Sequence, residues 1–304
     1  MDKLFKSKLY EGDLMIDKTF TKPADSSGRD KMHELVITSP HVRYQRMGRS
    51  ILGRDINAYF FGEGAGRVIY FAAHHAAESI TCNLLFAFIH RFLNSGIPCG
   101  IDRELLLKRF TYVCVPCVNP DGIELRMHGP EDSPLYSRQC AMTKGGHSAW
   151  QANARGVDLN HNYSPGFAEY KMLEREMGIT PGAGLFSGEY PESEPEVGAV
   201  MRLVRTLMPS GLISLHTQGE EIFYQPRCAR SRRIAERMAR LCGYTVSTPS
   251  GTALYGGLSD YTGTLGIPSF TVEAGRGTNP LPDSDLEHIF SRLSAVLALF
   301  PTML

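Results

Sequence analysis

Hydrophobic residues recur along the chain in two alternating patterns. Short apolar runs of strand length, Arg67-Val-Ile-Tyr-Phe-Ala-Ala73, Phe110-Thr-Tyr-Val-Cys-Val-Pro-Cys117, Gly211-Leu-Ile-Ser-Leu215 and Ile267-Pro-Ser-Phe-Thr-Val272, predict buried strands. Between them lie stretches of helical periodicity. Over about 78–94 the apolar set is Leu84, Leu85, Phe88, Ile89 and Phe92, and further helices are predicted over about 229–242 and 283–299. Ser193-Glu-Pro-Glu196 reads as a capped helix start with proline in the first turn, opening a helix to about Met208. Ile51 to Phe61 reads as a hairpin around a glycine turn. Strands alternating with helices predict an α/β fold, a mostly parallel sheet with helices on both faces. Residues 1–35 are polar and weakly patterned, and are expected to be an extension on the surface of a single domain over 36–304.

In such a sheet, functional residues collect at the carboxyl ends of the strands. His75, Asn119, His216 and Glu273 each follow a predicted strand. His75-Ala-Ala-Glu78 leaves its strand on a turn, and a His and a Glu three apart there supply two of the three protein ligands of a catalytic zinc. His216 is the candidate third ligand. His74 competes with His75, because a four-residue spacing to Glu78 would also share one face on a true helix, but the three-residue spacing suits a turn leaving a strand better and favours His75. Glu273 is the candidate general base, able to take a proton from water and hand it to a leaving nitrogen. The segment 150–162 holds Arg155, which could stabilise an oxyanion, Asp158, which could orient His75, and Asn160, which could bind a substrate carboxylate. Composition alone fits a solvated loop there equally well.

Composition narrows the function. The 304 residues are 42% hydrophobic and 21% charged, with 32 basic and 32 acidic side chains. A balanced charge argues against a nucleic-acid partner, and no run is long enough to span a bilayer. Seven scattered cysteines, several in apolar runs, read as buried thiols in a reducing compartment rather than a disulfide framework. The N-terminus has no signal-like apolar stretch, so a cytoplasmic protein is expected. Oligomeric state is not legible.

Taken together and in order, Gly48-Arg-Ser-Ile-Leu-Gly-Arg54, His75-Ala-Ala-Glu78, Asn119-Pro-Asp-Gly122, Gly156-Val-Asp-Leu-Asn160, His216 and Phe270-Thr-Val-Glu273 resemble the zinc carboxypeptidase (carboxypeptidase A) superfamily over about residues 45–300. The resemblance implies a mixed eight-stranded sheet, one zinc per chain at His75, Glu78 and His216, Glu273 as base, and a small peptide substrate. Trp150 to Asn160, His216-Thr-Gln-Gly-Glu220 and Glu273 to Pro282 are similar to the bacterial branch of γ-D-glutamyl-meso-diaminopimelate peptidases, which implies a murein peptide substrate. Two positions depart from the family. His161 stands where the family has an arginine that clamps a carboxylate, and the two side chains are not equivalent clamps. Thr252 falls at the family's mobile tyrosine, for which nearby Tyr255 could substitute. There is no cell-wall-binding repeat and no evident activation segment, which fits an intracellular enzyme. The alternatives are a carboxypeptidase on α-linked peptides, a deacylase of N-acyl amino acids, and a non-catalytic peptide-binding protein on the same scaffold.

Overall fold

The structure, a computed structural model, describes residues 16–95, 97, 100, 102–130, 133–143, 146–225 and 229–304. Eight strands form one sheet: β1 (Arg43–Arg49), β2 (Asp55–Phe61), β3 (Gly66–Ala72), β4 (Phe110–Val115), β5 (Gly211–His216), β6 (Glu221–Tyr224), β7 (Thr245–Ser247) and β8 (Ser269–Glu273). Their spatial order is β1-β2-β4-β3-β5-β8-β6-β7. The centre, β4-β3-β5-β8, is parallel, while β1 and β2 are antiparallel at one edge and β6 runs antiparallel to β8. The helices are α1 (Ser26–Ile37), α2 (Ile80–Asn94), α3 (Arg103–Arg109), α4 (Pro120–His128), α5 (Tyr136–Thr143), α6 (Phe167–Glu176), α7 (Pro195–Leu207), α8 (Ala229–Cys242), α9 (Leu258–Thr264) and α10 (Leu286–Leu299).

The two faces of the sheet build two cores, and the alternation of side chains along each strand assigns residues to them. On β3, Val68, Tyr70 and Ala72 pack with α1, α2, α8 and α10, while Ile69 and Phe71 pack with α7 and α9. Because both faces are covered, β3 and β5 read as near-continuous apolar runs. Each fully buried Ile, Leu or Phe contributes about 1.5–3 kcal/mol of transfer free energy.

The connection after β3 returns to β4 on one side, and the chain later places β5 on the other side of β3. The strand order therefore switches between β4 and β5, and the crevice at the carboxyl end of β3 is where such a sheet opens.

Three predicted elements differ in detail. The hairpin has its turn near Gly53 (φ +85°), and its first strand is the polar β1 upstream. β1 is an exposed edge, so its residues carry no apolar signal. The α7 start is not capped by Ser193: Glu194 occupies the cap position and its carboxylate is committed elsewhere. Residues 1–15 lie outside the described residues. Between 16 and 37, Phe20, Ala24, Met32 and Val36 are buried in the core that holds α2, rather than lying on the surface. The apolar signal of α1 is thin, since its inward face is only Met32 and Val36 among charged neighbours.

Candidate metal centre

Three strand ends bring the predicted chemistry together. β3 ends at Ala72, Ala73 takes a left-handed conformation (φ 51°), and the chain turns through His75 into a short 3-10 helix, Ala76–Glu78. That turn aims both side chains at one point. His75 Nδ1 lies 2.9 Å from Glu78 Oε1. His216, the last residue of β5, brings its Nδ1 to 3.3 Å from His75 Nδ1 and 3.0 Å from Glu78 Oε2. Among the described residues, His75, Glu78 and His216 are the group whose ligand atoms converge, all within 4.8 Å of one another.

The donor set fits a cation. Each imidazole uses its outer nitrogen on a neighbour, His75 Nε2 on Asp158 Oδ1 at 3.1 Å and His216 Nε2 on Ser214 Oγ at 3.0 Å. Nε2–H donation leaves the Nδ1 lone pair of each ring directed inward. Two inward lone pairs 3.3 Å apart repel unless something positive sits between them. Glu78 Oε2 is buried with His216 Nδ1 3.0 Å away but no well-formed hydrogen bond, a penalty that a cation would relieve. Two imidazoles and a carboxylate are zinc ligands, and three protein ligands leave a position open.

Without a cation, a proton takes its place: burial opposes it, but the Glu78 and Asp158 carboxylates raise the His75 imidazole well above its usual range. Burial disfavours the charged Glu78 carboxyl, but His75 and His216 more than offset it and hold it at about 2. Burial likewise opposes the Asp158 carboxylate, and His75, His161 and the Leu185 N–H hold it well below the usual range. His74 is driven the other way: burial, then the two neighbouring histidines, keep it neutral. It lies outside the ligand group, with Nε2 3.3 Å from Tyr163 Oη and Nδ1 3.4 Å from Ser214 Oγ.

Glu273 ends β8 and is paired in register with His216 on β5, so base candidate and ligand are cross-strand neighbours. Burial, with the Glu78 carboxylate adding to it and the two histidines opposing it, raises its carboxyl to about 7. A base poised near neutrality is suited to taking and returning a proton.

The matches with known proteins decide the lineage. The sequence model of the family described as zinc carboxypeptidase matches residues 29–291. The chain belongs to the zinc carboxypeptidase family. Gamma-D-glutamyl-L-diamino acid endopeptidase 1 of Lysinibacillus sphaericus is 31% identical over 270 residues, covering 84% of this chain and 66% of the relative, so the chain spans just under two thirds of that protein. Murein peptide amidase A of Escherichia coli (strain K12) is 28% identical over 180 residues, 57% of this chain and 58% of the relative. The fold agrees with that of thrombin activatable fibrinolysis inhibitor, with a TM-score of 0.72 at 19% identity, over 94% of this chain and 75% of that one.

The remaining zinc carboxypeptidase positions are held on loops. Asp158 accepts from His75 Nε2 and the Asn160 N–H through Oδ1, and from the Leu185 N–H through Oδ2. Asn160 is engaged by its Oδ1, which accepts from the Leu258 N–H at 3.3 Å. His161 is buried, stacks on Tyr170 at 3.8 Å, and donates from Nδ1 to the Tyr255 carbonyl at 3.0 Å; burial lowers its pKa, with Asp158 opposing. Tyr255 is exposed, with φ +68°. Arg155 is not in contact with the ligand group: its Nε and Nη2 bind Glu194, and Nη2 donates to the Ser193 carbonyl.

Two partners went unrecognised in the sequence. Ser214 lies two residues before His216, and that period alone puts both on one face of β5. Glu194, which takes Asn153 and Arg155 together, carries no sequence signal apart from its charge.

Asp158→Asn should weaken zinc binding roughly 10–100-fold, the usual cost of losing an outer partner of a ligating histidine. An amide must turn an NH2 toward one of the three donors that the carboxylate accepts. Competition with a chromophoric chelator reads the affinity, and an unchanged affinity would remove Asp158 from the site.

Proposed function

We propose that the protein is a zinc peptidase that hydrolyses the γ-D-glutamyl bond to a diamino acid, meso-diaminopimelate, in short murein peptides. The observation that carries the reading is the convergence of His75, Glu78 and His216 beside Glu273. The names of the Lysinibacillus and Escherichia relatives, a γ-D-glutamyl-diamino acid endopeptidase and a murein peptide amidase, support the substrate class.

His75, Glu78 and His216 would hold one zinc ion per chain. When bound, such an ion supplies a Lewis acid that polarises the scissile carbonyl and acidifies water. Glu273 takes the proton of the attacking water and returns it to the leaving amine. Arg155, fixed by Glu194, supplies a cation for the oxyanion. Asn160, His161 and Tyr255 recognise the substrate. His161 lacks the permanent charge and paired donors of an arginine, so it recognises a carboxylate by single hydrogen bonds.

Residues 36–304 form the catalytic domain, with α1 packed into its core. None of the helices among the described residues is long and apolar enough to cross a membrane. The five described cysteines are free, which supports a reducing, cytoplasmic setting.

Product analysis by mass spectrometry tests this reading. With L-alanyl-γ-D-glutamyl-meso-diaminopimelate, free diaminopimelate should be released, and a chelator should abolish its release. A blocked α-linked dipeptide should survive. Cleavage of the α-linked peptide alone would replace the murein reading with that of an ordinary carboxypeptidase.

A further inference from the structure

In the proposed mechanism Glu273 returns a proton to the leaving nitrogen, so the leaving group lies on the Glu273 side of the metal centre. What stands beyond Glu273 meets that group. Across this part of the sheet the strand order is β5-β8-β6. His216 on β5 is paired with Glu273 on β8, and Glu273 is paired with Glu221 on β6. Residues directly opposite on an antiparallel pair share a face, with Cβ atoms about 4.5–5.5 Å apart. Glu221 therefore stands beside Glu273, on the side away from His216.

The same face continues two residues further along with the pair Thr271 and Phe223. All four side chains are partly open to solvent. The alternating residues Phe270, Val272 and Ile222 point the other way, into the core with α2 and α10. Thr271, Glu273, Glu221 and Phe223 thus form the floor of a crevice next to the metal ligands. Gly219 keeps the space between the two carboxylates clear. A Cβ there would lie 3.6 Å from Glu221 Cγ and 3.8 Å from Glu273 Cβ.

The neighbouring Glu220 is already matched, its Oε2 2.9 Å from Arg276 Nε. Among the described residues, no hydrogen bond or ion pair engages the Glu221 carboxylate. Like charges directly opposite one another on two strands are destabilising. A cation lying over the floor relieves that repulsion, and it does so more strongly in a crevice than in bulk water.

We propose that Glu221 is a specificity-determining residue that binds the ammonium of a second amine on the leaving group, so that the enzyme selects a diamino acid on that side of the scissile bond. The proposal rests on the peptidase reading above and names the residue behind its substrate class. In both diaminopimelate and lysine, five carbons separate the reacting nitrogen from the second amine. That chain is long enough to run from Glu273 to the adjacent strand. Its methylenes pack on the Phe223 ring and the Thr271 methyl, while its ammonium donates to Glu221.

The test compares kcat/KM on L-alanyl-γ-D-glutamyl peptides ending in meso-diaminopimelate, L-lysine or L-norleucine, the last having the lysine chain without its amine. The wild-type enzyme should favour lysine over norleucine by about 10–100-fold, the worth of one hydrogen bond to a charged group. Glu221→Gln should bring that ratio close to one, mainly through KM, and Glu221→Asp should keep part of it. A purely structural role would slow both peptides alike, so an unchanged ratio in Glu221→Gln would overturn the proposal. So would a wild-type enzyme indifferent to the amine. If only α-linked dipeptides are cleaved, the murein reading fails, and the same ratio measured on α-linked lysine and norleucine dipeptides still decides the role of Glu221. Saturation-transfer NMR on the zinc-loaded protein with free lysine and free norleucine repeats the comparison without turnover. Lysine should bind the wild type more tightly and lose that advantage in Glu221→Gln; equal binding to the wild type would overturn the assignment.

Discussion

Glu273→Gln should abolish most hydrolysis while leaving zinc in place. Glutamine keeps the size of the side chain at the end of β8, and the backbone pairing of β8 with β5 involves no side-chain atom of residue 273. What is lost is the ability to accept a proton. General acid–base catalysis is worth about 10²–10⁴-fold, and in the proposed mechanism Glu273 serves both halves of the reaction, so kcat should fall by at least that range with KM little changed. The wild-type enzyme should also lose activity as pH falls through the carboxyl's pKa, because the protonated acid cannot act as a base. The variant's residual rate should lack that limb. The measurement is kcat/KM against pH together with zinc content. Retained turnover at full zinc occupancy would remove Glu273 as the base.

His216→Ala should empty the metal site. The side chain is almost fully buried, and its Nδ1 faces Glu78 and His75. Removing it takes one of three protein ligands, a larger loss than the roughly 10–100-fold attached to an outer partner. It also leaves Ser214 Oγ without the ring it meets at 3.0 Å. Zinc bound to the folded state stabilises by about 2.7 kcal/mol at a concentration 100 times its dissociation constant. The wild-type melting temperature should therefore rise with added zinc, and that of His216→Ala should not. Elemental analysis after gel filtration gives the second readout. Undiminished zinc would place the third ligand elsewhere.

The central fold was legible because its signals are local. β3, β4 and β5 are apolar on both faces, and α8 and α10 carry helical periodicity, so burial is written into consecutive residues. The polar edge strand β1, the short β7 and the thinly apolar α1 were not legible. An edge strand needs no apolar pattern, and α1 is retained by a few contacts with α2 that its own sequence barely announces. The α7 start shows the same limit. Ser193-Glu-Pro-Glu196 has the composition of a cap, yet Glu194 is drawn away by Asn153 and Arg155, more than thirty residues earlier in the chain.

At the metal centre, the division follows from distance along the chain. The sequence by itself singled out the candidate residues, because a strand followed by a turn presents His75 with Glu78, and because His216 and Glu273 close strands of their own. Tertiary structure alone decided that these four meet, through the parallel neighbours β3-β5-β8. It also showed how His75 rather than His74 reaches the site: after the left-handed Ala73, one ring meets Asp158 and the other Tyr163. The three-residue spacing to Glu78 favoured His75, because it suits a turn leaving a strand, and the folded backbone agrees. Backbone conformation and the partners waiting on other segments fix where each ring points.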